Sequence, residues 1–191
     1  MLKPNAFCTT KDGEIGICYN NIEDLYGIKK GLMTTIHAYT NGQSLLDVKC
    51  RDFRRSRAAA VNMIPTSTGA AKAMKLVMPS LDGKLHGQSV RVPVPNVSIV
   101  DLTAVLEKSV TKDELNSAFV EASKGSLKGI MAVDFDERVS SDFITSNYSS
   151  IVAADLTQVI CGDMIKVMAW YDNEWGYSNR LVEMAKFISE K

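Results

Sequence analysis

The chain has 191 residues, of which 46% are hydrophobic and 23% charged, a composition typical of globular domains and too apolar for intrinsic disorder. Lysine and arginine total 22 and balance 22 acidic residues, so no global field favours nucleic acid or an anionic membrane. The cysteines are widely spaced without a Cys-x-x-Cys pair, and no uncharged stretch approaches the roughly 20 residues that span a bilayer. These features predict a cytoplasmic protein without a zinc site, a disulfide framework or a membrane segment.

The first informative residues along the chain are a cysteine and a histidine. Cys8 lies in Asn-Ala-Phe-Cys-Thr-Thr, and His37 lies in Thr-Thr-Ile-His-Ala-Tyr-Thr. A thiolate beside an imidazole can attack an aldehyde or acyl carbon. Either residue alone is more often structural, since cysteine packs well as a small buried apolar side chain. Together they indicate a thiol nucleophile and its base.

Five apolar segments rich in β-branched residues predict strands, because turn or charged residues bound each of them. The segments are residues 31–39, 89–94, 97–106, 130–133 and 164–170. In the third of these, alternating and continuous apolar positions are mixed, which is typical of a strand with one face partly covered. The strands therefore favour an antiparallel or mixed sheet.

Three segments predict helices. Thr111 and Glu114 form a capping box before an apolar stripe that ends at Gly125, while residues 70–77 and the stretch from 173 to the C-terminus also have helical patterns. Helices and strands do not alternate regularly, which argues against a doubly wound domain. We predict an α+β fold: a mixed, largely antiparallel sheet with helices packed on one face.

Residues 40–57 lack periodicity and accumulate polar and basic side chains, most densely in Arg-Asp-Phe-Arg-Arg-Ser-Arg at 51–57. This pattern predicts a long ordered surface loop. Loops of this length inside compact domains are usually functional, but on charge alone a solvated basic segment is equally consistent.

Several segments resemble the signatures of one enzyme family. They are residues 5–10, 32–40 and 54–60, Asn-Met-Ile-Pro-Thr-Ser-Thr-Gly-Ala-Ala-Lys-Ala at 62–73, Arg-Val-Pro-Val-Pro at 91–95, Ser-Ser-Asp-Phe at 140–143 and Trp-Tyr-Asp-Asn-Glu-Trp-Gly-Tyr-Ser-Asn-Arg at 170–180. The chain is similar to phosphorylating glyceraldehyde-3-phosphate dehydrogenase, over its C-terminal catalytic domain only. The similarity implies a catalytic domain at 27–191, which has that family's fold, and a divergent segment at 1–26 around the nucleophile.

The resemblance implies a role for each matching residue. Cys8 would add to the aldehyde of glyceraldehyde 3-phosphate as a thiolate, and His37 would be its ion-pair partner and base. The resulting thioester would then be attacked by inorganic phosphate. The remaining implied site residues are Thr9, Thr68 and Gly69 for inorganic phosphate, Thr40 and Arg91 for the substrate phosphate, and Asn173 and Tyr177 for the nicotinamide cofactor. His86 receives no role.

The match also has departures. The family's Rossmann domain binds NAD through Gly-x-Gly-x-x-Gly, a pattern that occurs nowhere in this chain. NAD or NADP is therefore expected only with a dinucleotide-binding domain supplied elsewhere, and Lys49 leaves the choice between them open. Phe7 replaces a serine, and Gly13 and Gly16 fall where the family has a helix that activates the nucleophile. The resemblance also implies association into a homo-oligomer or with the missing Rossmann domain.

The leading hypothesis is the catalytic domain of a glycolytic aldehyde oxidoreductase that is inactive as an isolated chain. The alternative is a non-catalytic truncated domain that acts through self-association or association with an intact homologue. A thiol-dependent acyl transferase or esterase ranks third. Erythrose 4-phosphate is an alternative substrate, since its dehydrogenase shares this architecture.

Overall fold

The structure is a computed structural model that describes residues 16–69 and 78–190, without the side chains of 16–18 and 20. Cys8, Thr9 and the predicted helix at 70–77 lie outside the described residues. The helices are α1 (Gly16–Tyr26), α2 (Lys112–Lys124) and α3 (Trp175–Ser189). The strands are β1 (Ile28–Ala38), β2 (Ile64–Thr66), β3 (Leu85–Val92), β4 (Ser98–Leu106), β5 (Met131–Asp134), β6 (Ser150–Ala153), β7 (Gln158–Ile160) and β8 (Met164–Tyr171).

The strands form one eight-stranded sheet in the order β2-β3-β1-β4-β8-β6-β5, with β7 paired to β8. The β1–β3 and β5–β6 pairs are parallel, and the other pairs are antiparallel. This topology confirms the predicted α+β fold with a mixed, largely antiparallel sheet. All five predicted strands are present, with boundaries that shift by up to four residues.

The main core lies on one face of the sheet, where α1 and α2 pack against the central strands. Tyr19 and Ile22 of α1 and Leu115 and Phe119 of α2 are fully buried in it. Side chains that alternate along β4 and β8 complete this core, whereas the alternate positions on the opposite face, except the buried Ile99, are partly buried or exposed. The predicted partial cover of one face of β4 is thereby confirmed.

Helix α2 begins as its sequence predicts. The Thr111 hydroxyl accepts a hydrogen bond from the Glu114 amide, and the Glu114 carboxylate accepts one from the Thr111 amide at 2.8 Å. The Thr111 hydroxyl also donates to the Glu114 carboxylate at 2.8 Å, and the two bonds that this carboxylate accepts lower the pKa of Glu114 from its usual range, the backbone amide contributing most and the hydroxyl next. Gly125 caps the C-terminus, so the capping box and the stop are both confirmed.

Helix α1 was not predicted, because the two glycines of the preceding segment argued against a helix. Gly16 lies in the described part of α1, which is therefore helical despite this glycine. The C-terminal helix begins two residues later than predicted, at Trp175. Residues 40–57 contain no strand or helix, as predicted, and the loop extends from 39 to 63. Within it, Arg57 forms an ion pair with Asp47 at 3.1 Å.

Candidate active site

His37 and Arg91 lie opposite each other on neighbouring strands. The parallel register of β1 and β3 pairs their backbones. His37 is 4% exposed, and Nη1 of Arg91 lies 2.5 Å from its Nδ1 and donates to the Ala38 carbonyl oxygen at 3.0 Å. The fold thus brings together a predicted base and a predicted phosphate ligand that are 54 residues apart.

The contacts at Nδ1 of His37 define two tautomers with different chemistry. Nδ1 lies 2.7 Å from the Ala38 carbonyl oxygen, which can only accept, so this bond requires a proton on Nδ1 and leaves a lone pair on Nε2. Arg91 can only donate, so a bond from it requires the lone pair on Nδ1 and a proton on Nε2. Nε2 is therefore a base or a hydrogen-bond donor, depending on which neighbour holds Nδ1.

Two buried hydroxyls lie next to His37 and Arg91 on the same two strands. Thr35 and Ser89 lie two residues before His37 and Arg91, on the same faces of their strands, and their hydroxyl oxygens are 2.9 Å apart. At the sheet edge, Thr66 of β2 pairs with Ser89, and its hydroxyl accepts from Nε of Arg55 at 3.1 Å. The basic loop is thereby bonded to β2, which pairs with the strand that carries Arg91.

Ser98, the first residue of β4, joins the histidine strand to Asn173. Its hydroxyl accepts from the Ala38 amide at 3.1 Å and donates to Oδ1 of Asn173 at 2.8 Å. Ser98 also pairs across the sheet with Tyr171, whose ring meets His37 edge-on with ring centres 5.9 Å apart. The predicted base and the predicted nicotinamide ligand are therefore connected through Ala38 and Ser98. We call this set of neighbouring residues the wall: His37, Ala38, Arg91, Ser98 and residues 171–173.

Asp172 organises the turn that carries Asn173 into α3. Its buried carboxylate accepts from the amides of Glu174 and Trp175 at 3.0 and 2.8 Å. It also accepts from the Asn96 side chain at 2.9 Å and from the Thr145 amide at 2.8 Å. This carboxylate fixes the direction of the chain on both sides of Asn173.

Val97 lies between Asn96, which reaches Asp172, and Ser98, which reaches Asn173. Its φ is 69°, a left-handed conformation that costs a β-branched residue about 1–2 kcal/mol. The side chain is buried against Phe143 and Ile151. Packing and the hydrogen bonds of both neighbours hold this strained residue beside the wall.

The other described site residues lie in the segments that follow β1 and β2 and in α3. Thr40 follows β1, is half-buried and accepts from the Gln43 amide at 2.9 Å through its carbonyl. Thr68, half-buried, and Gly69, exposed, follow β2, and Tyr177 is half-buried in α3. Within the described residues, we find no cluster of three or more His, Cys, Asp or Glu side chains that could hold a metal ion. None of the described helices is long and apolar enough to span a membrane.

Residues 8–173 match the model of the family described as glyceraldehyde 3-phosphate dehydrogenase, C-terminal domain. The chain belongs to this family. Glyceraldehyde-3-phosphate dehydrogenase 1 of Bacillus subtilis is 51% identical over 187 residues, which is 98% of this chain and 55% of the relative. Glyceraldehyde-3-phosphate dehydrogenase 2 of Nostoc sp. is 52% identical with the same coverage. The chloroplastic glyceraldehyde-3-phosphate dehydrogenase A of Chlamydomonas reinhardtii is 50% identical over 98% of this chain and 50% of the relative.

The chain thus spans about half the length of these curated relatives, all of which are named as oxidoreductases of one kind. This coverage confirms the similarity to the C-terminal domain of glyceraldehyde-3-phosphate dehydrogenase. Of the predicted site residues, the fold joins His37, Arg91 and Asn173 across four neighbouring strands, whereas Cys8 and Thr9 lie outside the described residues.

Sequence reasoning missed Ser98, Asp172 and Tyr171 as parts of the wall. Asp172 had a detectable signal, since an aspartate shortly before a helix commonly accepts hydrogen bonds from its first amides. Ser98 had none, because its partners are 60 and 75 residues away in the chain. Their contacts depend on the pairing of β1, β4 and β8.

Proposed function

We propose that this chain is the catalytic half of a phosphorylating dehydrogenase that oxidises glyceraldehyde 3-phosphate. Cys8 is the nucleophile, which forms a thiohemiacetal with the aldehyde and then a thioester. His37 removes the proton of the thiohemiacetal hydroxyl through Nε2, and inorganic phosphate attacks the thioester to release the acyl phosphate. Thr9, Thr68 and Gly69 bind the attacking phosphate, while Thr40 and Arg91 bind the phosphate of the substrate.

The observation that carries this proposal is the pairing of His37 with Arg91. A base needs a fixed ring, which burial provides, and a lone pair on Nε2, which the ring has in the tautomer that donates from Nδ1 to the Ala38 carbonyl. A phosphate ester needs a positive group that donates more than one hydrogen bond, and a half-buried guanidinium is suited to that. The pair supports an acyl chemistry on a phosphorylated substrate over a simple esterase.

A nicotinamide dinucleotide is compatible with the residues of the wall. The hydroxyl of Ser98 donates to Oδ1 of Asn173, so the amide nitrogen of Asn173 is directed away from Ser98. That nitrogen is a hydrogen-bond donor, which fits the carboxamide oxygen of a nicotinamide. NAD or NADP, when bound, accepts the hydride of the oxidation. We assign Asn173 and Tyr177 to the nicotinamide end, with the rest of the cofactor held by a dinucleotide-binding domain supplied elsewhere.

A half-reaction that needs no cofactor tests the proposal. The acyl phosphate product, 1,3-bisphosphoglycerate, should acylate Cys8 directly, because its phosphate leaves without any hydride transfer. We expect a mass increase of one phosphoglyceryl group on the peptide that contains Cys8, and none in Cys8→Ser. His37→Asn should slow acylation at least tenfold, since a positioned base contributes about 10²–10⁴-fold.

The chain contains its own controls for thiol reactivity. Cys50 and Cys161 are exposed free thiols, so they report non-specific acylation. Equal labelling of Cys8, Cys50 and Cys161 would contradict a catalytic role for Cys8. A reducing, cytoplasmic setting suits this chemistry, because it keeps the nucleophile as a thiol.

A second candidate function, association with another chain, is supported by exposed apolar side chains. On the sheet face opposite the core, Leu32 is 68% and Ile160 is 54% exposed, and in α3 Val182 is 70% exposed. Such surfaces favour a homo-oligomer or a complex with an intact homologue. Light scattering after size exclusion, over a hundredfold range of concentration, should show mass increasing with concentration, and Leu32→Glu should reduce the increase. A monomer at every concentration would contradict this candidate.

A further inference from the structure

Ser98 is a buried hydroxyl at the centre of the wall. It is 1% exposed, and its partners are the backbone amide of Ala38 and the side chain of Asn173, themselves buried. A serine hydroxyl has one proton to donate and two lone pairs. Ser98 donates its proton to Asn173 and accepts from the Ala38 amide with one lone pair, so a single oxygen connects β1 to the turn before α3.

This arrangement determines which end of the Asn173 amide is presented outward. With Oδ1 toward Ser98, the hydroxyl proton has an acceptor and the Ala38 amide has one too. If the amide were reversed, its NH₂ group would face the hydroxyl oxygen, and the buried hydroxyl proton would lose its acceptor, which is unfavourable. No described residue accepts a hydrogen bond from Nδ2 of Asn173. Ser98 therefore directs a donor, and not an acceptor, away from the wall.

We propose that Ser98 is a positioning residue, which fixes the Asn173 amide as a donor toward the carboxamide oxygen of a nicotinamide and holds it in register with the His37 strand. This inference rests on the proposed function for the identity of the ligand. Ser98 itself touches no reacting atom. Its effect passes through Asn173 on one side and through the backbone beside His37 on the other.

The structural part of the inference is tested on the 191-residue chain by nuclear magnetic resonance, which needs no cofactor. In Ser98→Ala, we expect the side-chain NH₂ signals of Asn173 to shift and the Ala38 amide to exchange with solvent on the order of tenfold faster, because its acceptor is gone. Ser98→Thr keeps the hydroxyl and should restore both. Ser89→Ala is the matched control, since it removes another buried hydroxyl of the same sheet and leaves Ala38 and Asn173 untouched.

The functional part is tested by joining the chain to the first half of the Bacillus subtilis relative and measuring steady-state kinetics with NAD. Loss of one neutral hydrogen bond should lower kcat about 3- to 10-fold in Ser98→Ala, while KM for NAD stays within about twofold. A merely structural defect would instead reduce the active fraction and leave kcat per active site unchanged.

Two results would overturn the inference: Asn173 and Ala38 signals in Ser98→Ala that match the unaltered chain, or equal changes in Ser89→Ala. Failure of the proposed function is distinguishable from both. Acylation of Cys8 by 1,3-bisphosphoglycerate requires no nicotinamide. If the unaltered chain is not acylated, the proposed reaction is contradicted, and the magnetic resonance comparison still decides the role of Ser98. If Ser98→Thr does not fold, Ser98→Ala against Ser89→Ala decides it.

Discussion

Replacement of Asp172 by asparagine should destabilise the turn that carries Asn173 into α3. The substitution keeps the shape and leaves Oδ1 able to accept from the amides of Glu174 and Trp175. It puts an NH₂ group where Oδ2 accepts from the Asn96 side chain and from the Thr145 amide. Two hydrogen bonds to a charged group are lost, each worth about 1.5–3 kcal/mol.

The net effect is smaller than that sum. Oδ1 of Asn96 is buried without a partner among the described residues, so rotation of its amide can offer an acceptor to the new NH₂ group. Removal of the buried charge also removes its desolvation cost. We expect the free energy of unfolding to fall by about 2–4 kcal/mol, with the Thr145 amide left unsatisfied.

Urea unfolding followed by tryptophan fluorescence measures this change, provided that the denaturant slope stays constant. Asn96→Ala is the control, because it removes one of the four bonds and keeps the carboxylate; we expect it to cost about 1–2 kcal/mol. The reasoning would be refuted if Asp172→Asn lay within about 0.5 kcal/mol of the unaltered chain, or if Asn96→Ala cost as much as Asp172→Asn.

Three further substitutions test separate features. Arg91→Lys should slow acylation by 1,3-bisphosphoglycerate about tenfold or more, since an ammonium cannot reproduce the guanidinium fork; an unchanged rate in a folded variant would contradict the assignment. Thr111→Ala should cost about 1 kcal/mol at pH 7. Because the folded pKa of Glu114 is lowered, its carboxylate contributes stability above its ordinary pKa of 4.5 and loses this contribution as pH falls through the folded pKa. The difference in urea midpoint between Thr111→Ala and the unaltered chain should therefore shrink in acid, and a constant difference would contradict this. Gly31→Ala should cost about 1–3 kcal/mol, because its Cβ would lie 2.9 Å from a carbonyl oxygen of β4, whereas Gly42→Ala, with no atom nearer than 4.0 Å, should be near neutral in the same urea assay.

The strands that could be predicted from the sequence are the four long ones, β1, β3, β4 and β8, and the short strand β5. Five apolar segments and the capping box have periodicity or caps that act locally, and they correspond to β1, β3, β4, β5, β8 and α2. Strands β2, β6 and β7 were missed, since three or four residues are too few to establish a period; β5 is as short as β6 and was predicted from its apolar run alone. Long-range pairing with β3, β5 and β8 forms them.

The site divides in the same way. His37, Arg91 and Asn173 could be selected as candidate site residues because they lie in short motifs that resemble a family. Their arrangement could not be predicted, because the pairing of His37 with Arg91 depends on a parallel register between strands 54 residues apart. Ser98 follows from that arrangement alone, since its chemistry is ordinary and only its partners give it a role.

The wall is held by its own sheet, and this has a measurable consequence when the chain is joined to the proposed dinucleotide-binding half. Arg91 donates to Ala38, Ser98 bonds Ala38 and Asn173, and none of these contacts requires another domain. Helix α3 differs, because Leu181, Val182 and Ile188 are 52%, 70% and 65% exposed. We therefore expect that joining the chain to the first half of the Bacillus subtilis relative slows amide hydrogen exchange in α3 about tenfold or more and leaves Ala38 within about twofold. The isolated chain is the control, measured at the same pH and temperature. Equal protection of α3 and β1 would mean that the second domain stabilises the whole chain, and would contradict a wall that is complete within its own sheet.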